Sequence, residues 1–298
     1  MRAIRIAVPY DSETPFNSCG LLKLDAAVKE AGGRLDVTVY PSGVIASEGE
    51  SLEQVVTGHL DAAVAGPAFL GTWYEPAAVM EAPYAFESLE EMNEAAHSEV
   101  GQRIWDGFLA ETGVRVLDTW WLGARHLMTQ KPVRSPADLK GVRMRVPDNR
   151  LHMAGAAAMG ATPMPVPLGE TYIGLQQGLI SAVEGPINTS DSNGFQEVTD
   201  YITLTGHIRT PVPILINENV WQAIPETDRQ ILQEQLVRLG DEAERCVEEL
   251  DAQILDRWVR SGEITVVEDA DIDAFRESVR SSVPDQFVWA DTYRLLTH

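Results

Sequence analysis

The chain has 298 residues, 44% hydrophobic and 23% charged, which is apolar material enough for one large domain or two lobes of ordinary size. Its 23 Lys and Arg against 45 Asp and Glu leave a net charge of −22, so phosphate backbones are repelled and nucleic acid is excluded as a partner. No stretch approaches the roughly 20 apolar residues that cross a bilayer, and neither Cys19 nor Cys246 sits in a metal or redox spacing.

In chain order, residues 4–8 (IRIAV) alternate as a strand, and 21–33 (LLKLDAAVKEAGG) read as a helix closed by two glycines. A second alternating run, 34–41, stops at Pro41. A Gly-terminated helix follows at 48–58, then a short buried strand at 60–66. This β-α-β-α-β order predicts parallel strands with crossover helices, an α/β lobe. A second run starts with a strand near 114–121 and continues through a strand at 142–146, helices near 149–159 and 169–177, and a strand at 179–185. It supplies a second α/β lobe. From Pro225 to Gly262 the chain reads as one long amphipathic helix: Leu232, Leu236, Leu239, Ala243, Cys246, Leu250, Ile254 and Trp258 recur at steps of three and four. About 36 residues at 1.5 Å each reach roughly 54 Å, more than one lobe spans, so the helix is expected to brace both. The alternative is two helices broken at Gly240. The cysteines are expected to be free thiols, with a disulfide between them as the alternative.

The spacing carries no catalytic signature. No Walker loop, GxSxG elbow, HExxH or GxGxxG occurs, and the six histidines have no paired ligand spacing. They read as surface or satisfied core residues, so no metal and no cofactor is expected. Most of the positive charge is arginine; only Lys23, Lys29, Lys131 and Lys140 are lysines. In GVRMRVPDNR (141–150), Val142, Met144 and Val146 share one strand face while Arg143 and Arg145 share the other, and Pro147 ends the ladder. An arginine at a strand end in an α/β cleft suits a planar carboxylate, because its fork donates two parallel hydrogen bonds. The competing reading pairs both arginines with surface acids.

RHLMTQKPVRSPADLKGVRMRVP (125–147) and GATPMPVPLGETYIGLQQGLISAVEGP (160–186) resemble the solute-binding proteins of TRAP transporters, the DctP-like family. So do VYPSGVIASEGESLEQVVTGHLDAAVAG (39–66), EPAAVMEAPYAF (75–86) and VPILINENVWQAIPETDRQIL (212–232), so the resemblance covers most of the chain. It implies a two-lobed periplasmic-binding-protein fold with crossing strands, an interlobe ligand cleft and a long helix backing both lobes. Lobe I is then 1–123 with about 212–252, and lobe II 124–211 with about 253–298. It also implies a captor that closes by a hinge on an organic acid and delivers it to the membrane subunits of a TRAP transporter, not an enzyme. An enzyme or a sensory effector-binding domain on the same scaffold is the second reading. The chain opens almost directly on a strand, without a signal peptide. It is therefore expected either to be cytoplasmic or to have lost its leader, and the resemblance implies the periplasm or cell surface. The short tail 282–298 points to a monomer.

By the same resemblance the carboxylate-binding arginine falls on Arg145, while Arg143 is a surface charge, and a second arginine of sugar-acid binders falls on Arg125. The further ligand-binding positions are Glu184, Gly185, Leu168, Glu48, Phe69, Trp73, Asp148 and Tyr10. The chain departs from the family at Glu184-Gly185-Pro186, where Glu-Asn-Pro is usual; at Leu168, where an aromatic often covers the ligand; and at Gly66 and Phe69, where sialic-acid binders carry polar residues. Sialic acid is therefore not expected. Glu48, Arg125 and Arg145 favour a sugar acid; Gly185 and Phe69 favour an aromatic, keto or hydroxy acid next. Tyr172 is expected to be structural.

Overall fold

The computed structural model describes residues 2–297. Among these residues there are nine strands: β1 (Arg2–Ala7), β2 (Leu35–Tyr40), β3 (Ala62–Val64), β4 (Val114–Thr129), β5 (Arg143–Val146), β6 (Thr162–Pro165), β7 (Ala182–Pro186), β8 (Tyr201–Asn217) and β9 (Thr265–Val266). They fall into two compact units. The first comprises residues up to Met80, Asn93–Leu122 and Pro211–Glu249; the second comprises Glu81–Met92, Gly123–Thr210 and the chain from Leu250 onward. The long strands β4 and β8 and the long helix Glu226–Ser261 each contribute residues to both.

In the first unit β1 pairs in parallel with β2 and with β3, as the β-α-β-α-β reading requires. Residues 62–64 of β3 then run antiparallel to Ile214–Ile216 of β8. Ile4, Ile6, Leu35 and Val37 are buried from this sheet, with Leu24 and Val28 from the first crossover helix. That helix is shorter than the sequence predicts, Leu24–Glu30, because the preceding residues wind as a π-turn, Phe16–Gly20, and a 3₁₀ turn. The helix Glu48–Val56 opens on a capping box in which Ser47 and Glu50 satisfy one another's backbone amides.

The long helix is continuous from Glu226 to Ser261, so Gly240 does not break it. Its glycine serves a close approach. A Cβ there would lie 2.6 Å from Nε1 of Trp120, and one at Gly20 would lie 2.5 Å from Trp120 Cζ3. The fully buried indole is thus held between two glycines, beside Phe16 at 5.2 Å, and donates through Nε1 to Asp118 at 3.0 Å. Next to it the expectation of free thiols is corrected: Cys19 and Cys246 form a disulfide with Cα atoms 6.5 Å apart. The π-turn and the helix packed over Trp120 bring together residues 227 positions apart, which spacing in the sequence does not show.

In the second unit β5 pairs in parallel with β6 and with β7, and β7 runs antiparallel to residues 125–129 of β4. The β9 pair continues β8 at Tyr201 and Ile202. Met128, Val183, Ile187, Phe195 and Ile202 pack with Ile254 and Trp258 of the long helix, and Trp258 donates its Nε1–H to Asp191 at 3.0 Å. One helix therefore serves both cores, with Leu232, Leu236, Leu239 and Val247 buried in the first and Ile254 and Trp258 in the second. Among the described residues no helix is long and apolar enough to cross a membrane.

On an exposed helix Gly→Ala stabilises by about 1 kcal/mol. At Gly240 the new methyl meets the Trp120 ring, and overpacking of this kind costs about 1–3 kcal/mol. Gly240→Ala is therefore expected to lower the urea midpoint, and a raised midpoint would contradict the packing. Unreduced, denatured protein is expected to show no free thiol with Ellman's reagent.

Candidate functional site

Strand β7 carries Glu184, Gly185 and Pro186, all buried. Its antiparallel register with β4 sets Arg125 opposite Pro186 and Leu127 opposite Glu184, so Arg125 and Glu184 are diagonal neighbours on one sheet face. Both are almost fully enclosed, at 6% and 2% exposure. The guanidinium grips the carboxylate with two prongs, Nε to Oε2 and Nη2 to Oε1 at 2.6 Å, and Nη2 also donates to the Glu184 carbonyl at 3.1 Å. A buried guanidinium without such a partner is strongly destabilising. The pairing therefore decides that Arg125 sits rigidly and that its charge is matched.

His207 on β8 completes this cluster. Its Nε2 lies 3.2 Å from Glu184 Oε2 and its Nδ1 2.8 Å from Thr205 Oγ1. A carboxylate only accepts, so the proton belongs on Nε2 and the threonine hydroxyl donates to Nδ1. Burial holds the His207 pKa below the usual histidine range although Glu184 works against it. Burial would raise the Glu184 pKa, but the Arg125 charge and the hydrogen bonds from His207 and Arg125 outweigh it and hold the carboxyl well below the usual range.

A second buried pair adjoins. Asn149 caps the helix Arg150–Ala158, its Oδ1 accepting the His152 backbone N–H and the His152 Nδ1–H, each at 3.0 Å. The opposite nitrogen, Nε2, lies 3.5 Å from Glu81 Oε1. Burial pushes His152 down to about 3, helped by Arg125, so the imidazole is neutral at any ordinary pH.

Arg145 lies on β5, paired with Val183 of β7 and Met164 of β6. It is 5% exposed, and its Nε donates to the Val166 carbonyl at 2.9 Å, which fixes the plane of the fork. Arg143, two residues earlier on the same face, is exposed and donates to the Gly178 carbonyl at 2.6 Å. Period-2 geometry cannot separate these two arginines; their positions along the strand do. Leu168 is half-buried against the second unit's core, and Asp148 is exposed.

The remaining predicted positions belong to the first unit. Glu48, at the start of its helix, accepts the Gly66 backbone N–H at 2.7 Å through Oε1. Phe69 is half-buried, with the edge of its ring above Gly49. Trp73 is 40% exposed. Tyr10 is buried edge-on to Phe16, with centroids 5.7 Å apart. Tyr172 donates to Glu197 at 2.9 Å on the surface of the second unit. The fold thus gathers Arg125, Arg145, Glu184 and Gly185 in one unit and Glu48, Phe69, Trp73 and Tyr10 in the other. Sequence reasoning missed His207, Thr205, His152, Asn149 and Glu81. They come from β8, the helix Arg150–Ala158 with its cap, and the segment at Glu81, and no common spacing links the three. Among the described residues no group of three His, Cys, Asp or Glu side chains is placed to hold a metal ion.

Comparison with known proteins places the chain in a family. The family model of bacterial extracellular solute-binding proteins, family 7 (DctP), matches residues 12–288. A solute-binding protein of Roseobacter denitrificans is 33% identical over 252 residues, covering 84% of this chain and 76% of its own length. The sialic acid-binding periplasmic protein SiaP of Vibrio cholerae is 29% identical over 265 residues, covering 89% and 82%. Among solved structures, a TRAP periplasmic solute-binding protein from Roseobacter denitrificans with bound L-galactonate superposes with a TM-score of 0.92 at 27% identity, covering 100% of this chain and 99% of that one. Another from Actinobacillus succinogenes, also with bound L-galactonate, gives 0.91 at 26% identity and 99% coverage of both. With a matching family model over nearly its whole length and a matching fold, the chain belongs to the DctP family of TRAP-type solute-binding proteins, transport proteins rather than enzymes.

Proposed function

We propose that this chain is an extracytoplasmic captor of a small organic carboxylate, a sugar acid in the first place, which it hands to the membrane subunits of a TRAP transporter. The observation that carries the reading is Arg145: a guanidinium 5% exposed, on a strand, with its Nε already held by the Val166 carbonyl. Such a fork is pre-oriented, so less entropy is lost when a carboxylate docks on it. Arg125, fixed by Glu184 and His207, adds a second contact, and Glu184 acts by positioning it. Glu48, at the start of its helix in the first unit, reads the ligand's hydroxyl groups.

Relatives at 26–27% identity with bound L-galactonate support the sugar acid. Gly66 and the apolar Phe69 argue against sialic acid, although a relative is named for binding it. Gly185 and Phe69 keep aromatic, keto and hydroxy acids as the next class. The Cys19–Cys246 disulfide suits an oxidising compartment and supports a place outside the cytoplasmic membrane. Capture proceeds by hinge closure: ligand contacts contributed by both units shift the population toward the closed form. The protein acts as a monomer, which sedimentation checks.

Arg145→Ala is expected to weaken binding of the captured acid at least a hundredfold, about 2.7 kcal/mol by calorimetry. An unchanged dissociation constant would refute the role. Glu184→Gln leaves Arg125 charged and buried without its counter-ion, and is expected to cost about 3–5 kcal/mol of stability at neutral pH. The Glu184 pKa is depressed in the fold, so its contribution is present above the unfolded value and lost as pH falls through the folded one. The gap between wild type and Glu184→Gln in chemical denaturation should accordingly shrink on acidification below about pH 4; a gap that widens would contradict the ion pair.

A further inference from the structure

The β4–β7 ladder begins at the pair Arg125–Pro186. Continued by two residues on each strand, the same register would set Gly123 against Asn188, but after Pro186 the chain turns into the helix Ile187–Ser192. A third element takes that place. Asp251 of the long helix brings its carboxylate there, and Oδ1 accepts the backbone N–H of Asn188 at 2.9 Å and its side-chain Nδ2–H at 2.8 Å. The first of these bonds satisfies a first-turn amide that the short helix cannot pair for itself. Oδ2 lies against Gly123: a Cβ built on that glycine would be 3.0 Å from it, 3.1 Å from Pro186 Cβ and 3.2 Å from Asn188 Nδ2. Gly123 also has φ +126°, a conformation that side chains rarely adopt.

One carboxylate thus ties together the end of the ladder that carries the Arg125–Glu184 pair. Gly123, Pro186, Asn188 and Asp251 all belong to the second unit. The two donors that Asn188 offers are neutral. The ionisable residues of the segments around Asp251 are Arg125 and His126 on β4, Glu184 on β7, Asp191 on the short helix, and Glu248 and Arg257 on the long helix. Arg125 is paired with Glu184 and Arg257 with Asp191, His126 is pushed down to about 3, and none of these groups shifts Asp251. Burial pushes the Asp251 carboxyl up to about 7, against the pull of its bonds from Asn188, so it changes charge in the neutral range. A hydrogen bond accepted by an ionised oxygen is about twice as strong as one accepted by a neutral oxygen. The tie is therefore firm when Asp251 is ionised and slack when it is protonated.

We propose that Asp251 is a positioning residue for Arg125: its ionised carboxylate clamps the end of the β4–β7 ladder, and taking up a proton loosens that end and weakens capture of the acid. The inference rests on the reading that Arg125 touches the captured acid. A ligand that binds best to the clamped site favours the ionised form of Asp251, so capture releases protons and tightens as pH rises through the neutral range. The buried groups around Arg125 do not titrate there. His152 is pushed down to about 3, His207 is held below the usual histidine range and Glu184 well below the usual carboxylate range.

The test has two readouts, each taken between about pH 6 and about pH 8: the Arg125 Nε–H resonance of the ligand-free protein, and calorimetric titration with L-galactonate. Wild type, Asp251→Asn and Glu244→Gln are compared. Glu244 is the control, since it lies in the first unit and burial pushes its carboxyl up to about 7 as well. In wild type and Glu244→Gln the Arg125 signal should titrate with a midpoint at about 7. Galactonate should bind them at least about threefold more tightly at the higher pH. In Asp251→Asn, which is isosteric and still an acceptor for Asn188, the signal should not titrate and the affinity should stay at the wild type's low-pH value. Its melting temperature at the higher pH should be at or above that of wild type, because a carboxyl whose pKa is raised by folding destabilises the fold above that pKa. A merely structural role predicts the reverse, a lower melting temperature with the pH dependence of binding kept. The wild-type signal decides the matter without any variant having to fold. An Arg125 signal that does not titrate in wild type, or a pH dependence that survives Asp251→Asn or vanishes in Glu244→Gln, would overturn the proposal. An Arg125 signal that titrates while galactonate affinity ignores pH, or while galactonate does not bind, would instead overturn the reading that Arg125 touches a sugar acid.

Discussion

An arginine taken almost wholly out of water must bring a carboxylate with it. In this protein that constraint is met by Arg125 and Glu184, joined by two prongs on adjacent strands and steadied by His207 and Thr205. Much of the second unit's polar interior follows from it. The cation and the histidine together keep Glu184 ionised against its burial, and burial keeps His207 and His152 neutral. Such a pair adds little to stability beyond what an apolar pair would give, yet it is costly to break. Its use is to fix the position of a charged group, and a binding protein needs its recognition groups fixed before the ligand arrives.

The two units carry different groups. The second carries Arg125 and Arg145 on the neighbouring strands of β7, whose Glu184 grips Arg125. The first carries Glu48, Phe69, Trp73 and Tyr10, the positions proposed to meet the ligand, on an α/β scaffold tied by the Cys19–Cys246 disulfide and by the indole of Trp120 between two glycines. The long helix places Gly240 and Cys246 in one unit and Ile254 and Trp258 in the other, so a single element has to satisfy both cores.

Much of the architecture was legible because it rests on local rules. The alternation in 4–8 and 34–41 is β1 and β2, and the step of three and four from Leu232 to Trp258 is one helix. What was not legible depends on contacts between distant residues. Gly240 looks like a break point in the sequence and is a packing contact in the structure, since only the fold puts Trp120 over it. Cys19 and Cys246 have no spacing that announces a bond. The seventeen residues of β8 contain two prolines, Pro211 and Pro213, and a glycine, punctuation that reads against a long strand. At the candidate site the family likeness picked out Arg125 and Arg145, but no sequence rule pairs Arg125 with Glu184 59 residues away, or draws His207 to the same carboxylate.

The central claim is that Arg145 is the group on which the acid's carboxylate docks. A crystal structure with the acid that most stabilises the protein in a thermal-shift panel of uronic, aldonic, aromatic, dicarboxylic and keto acids tests it most directly. The account predicts both carboxylate oxygens within about 3 Å of the terminal nitrogens of Arg145, a bidentate pair. A bound acid whose carboxylate lies elsewhere, with Arg145 touching only hydroxyls or nothing of the ligand, would contradict it.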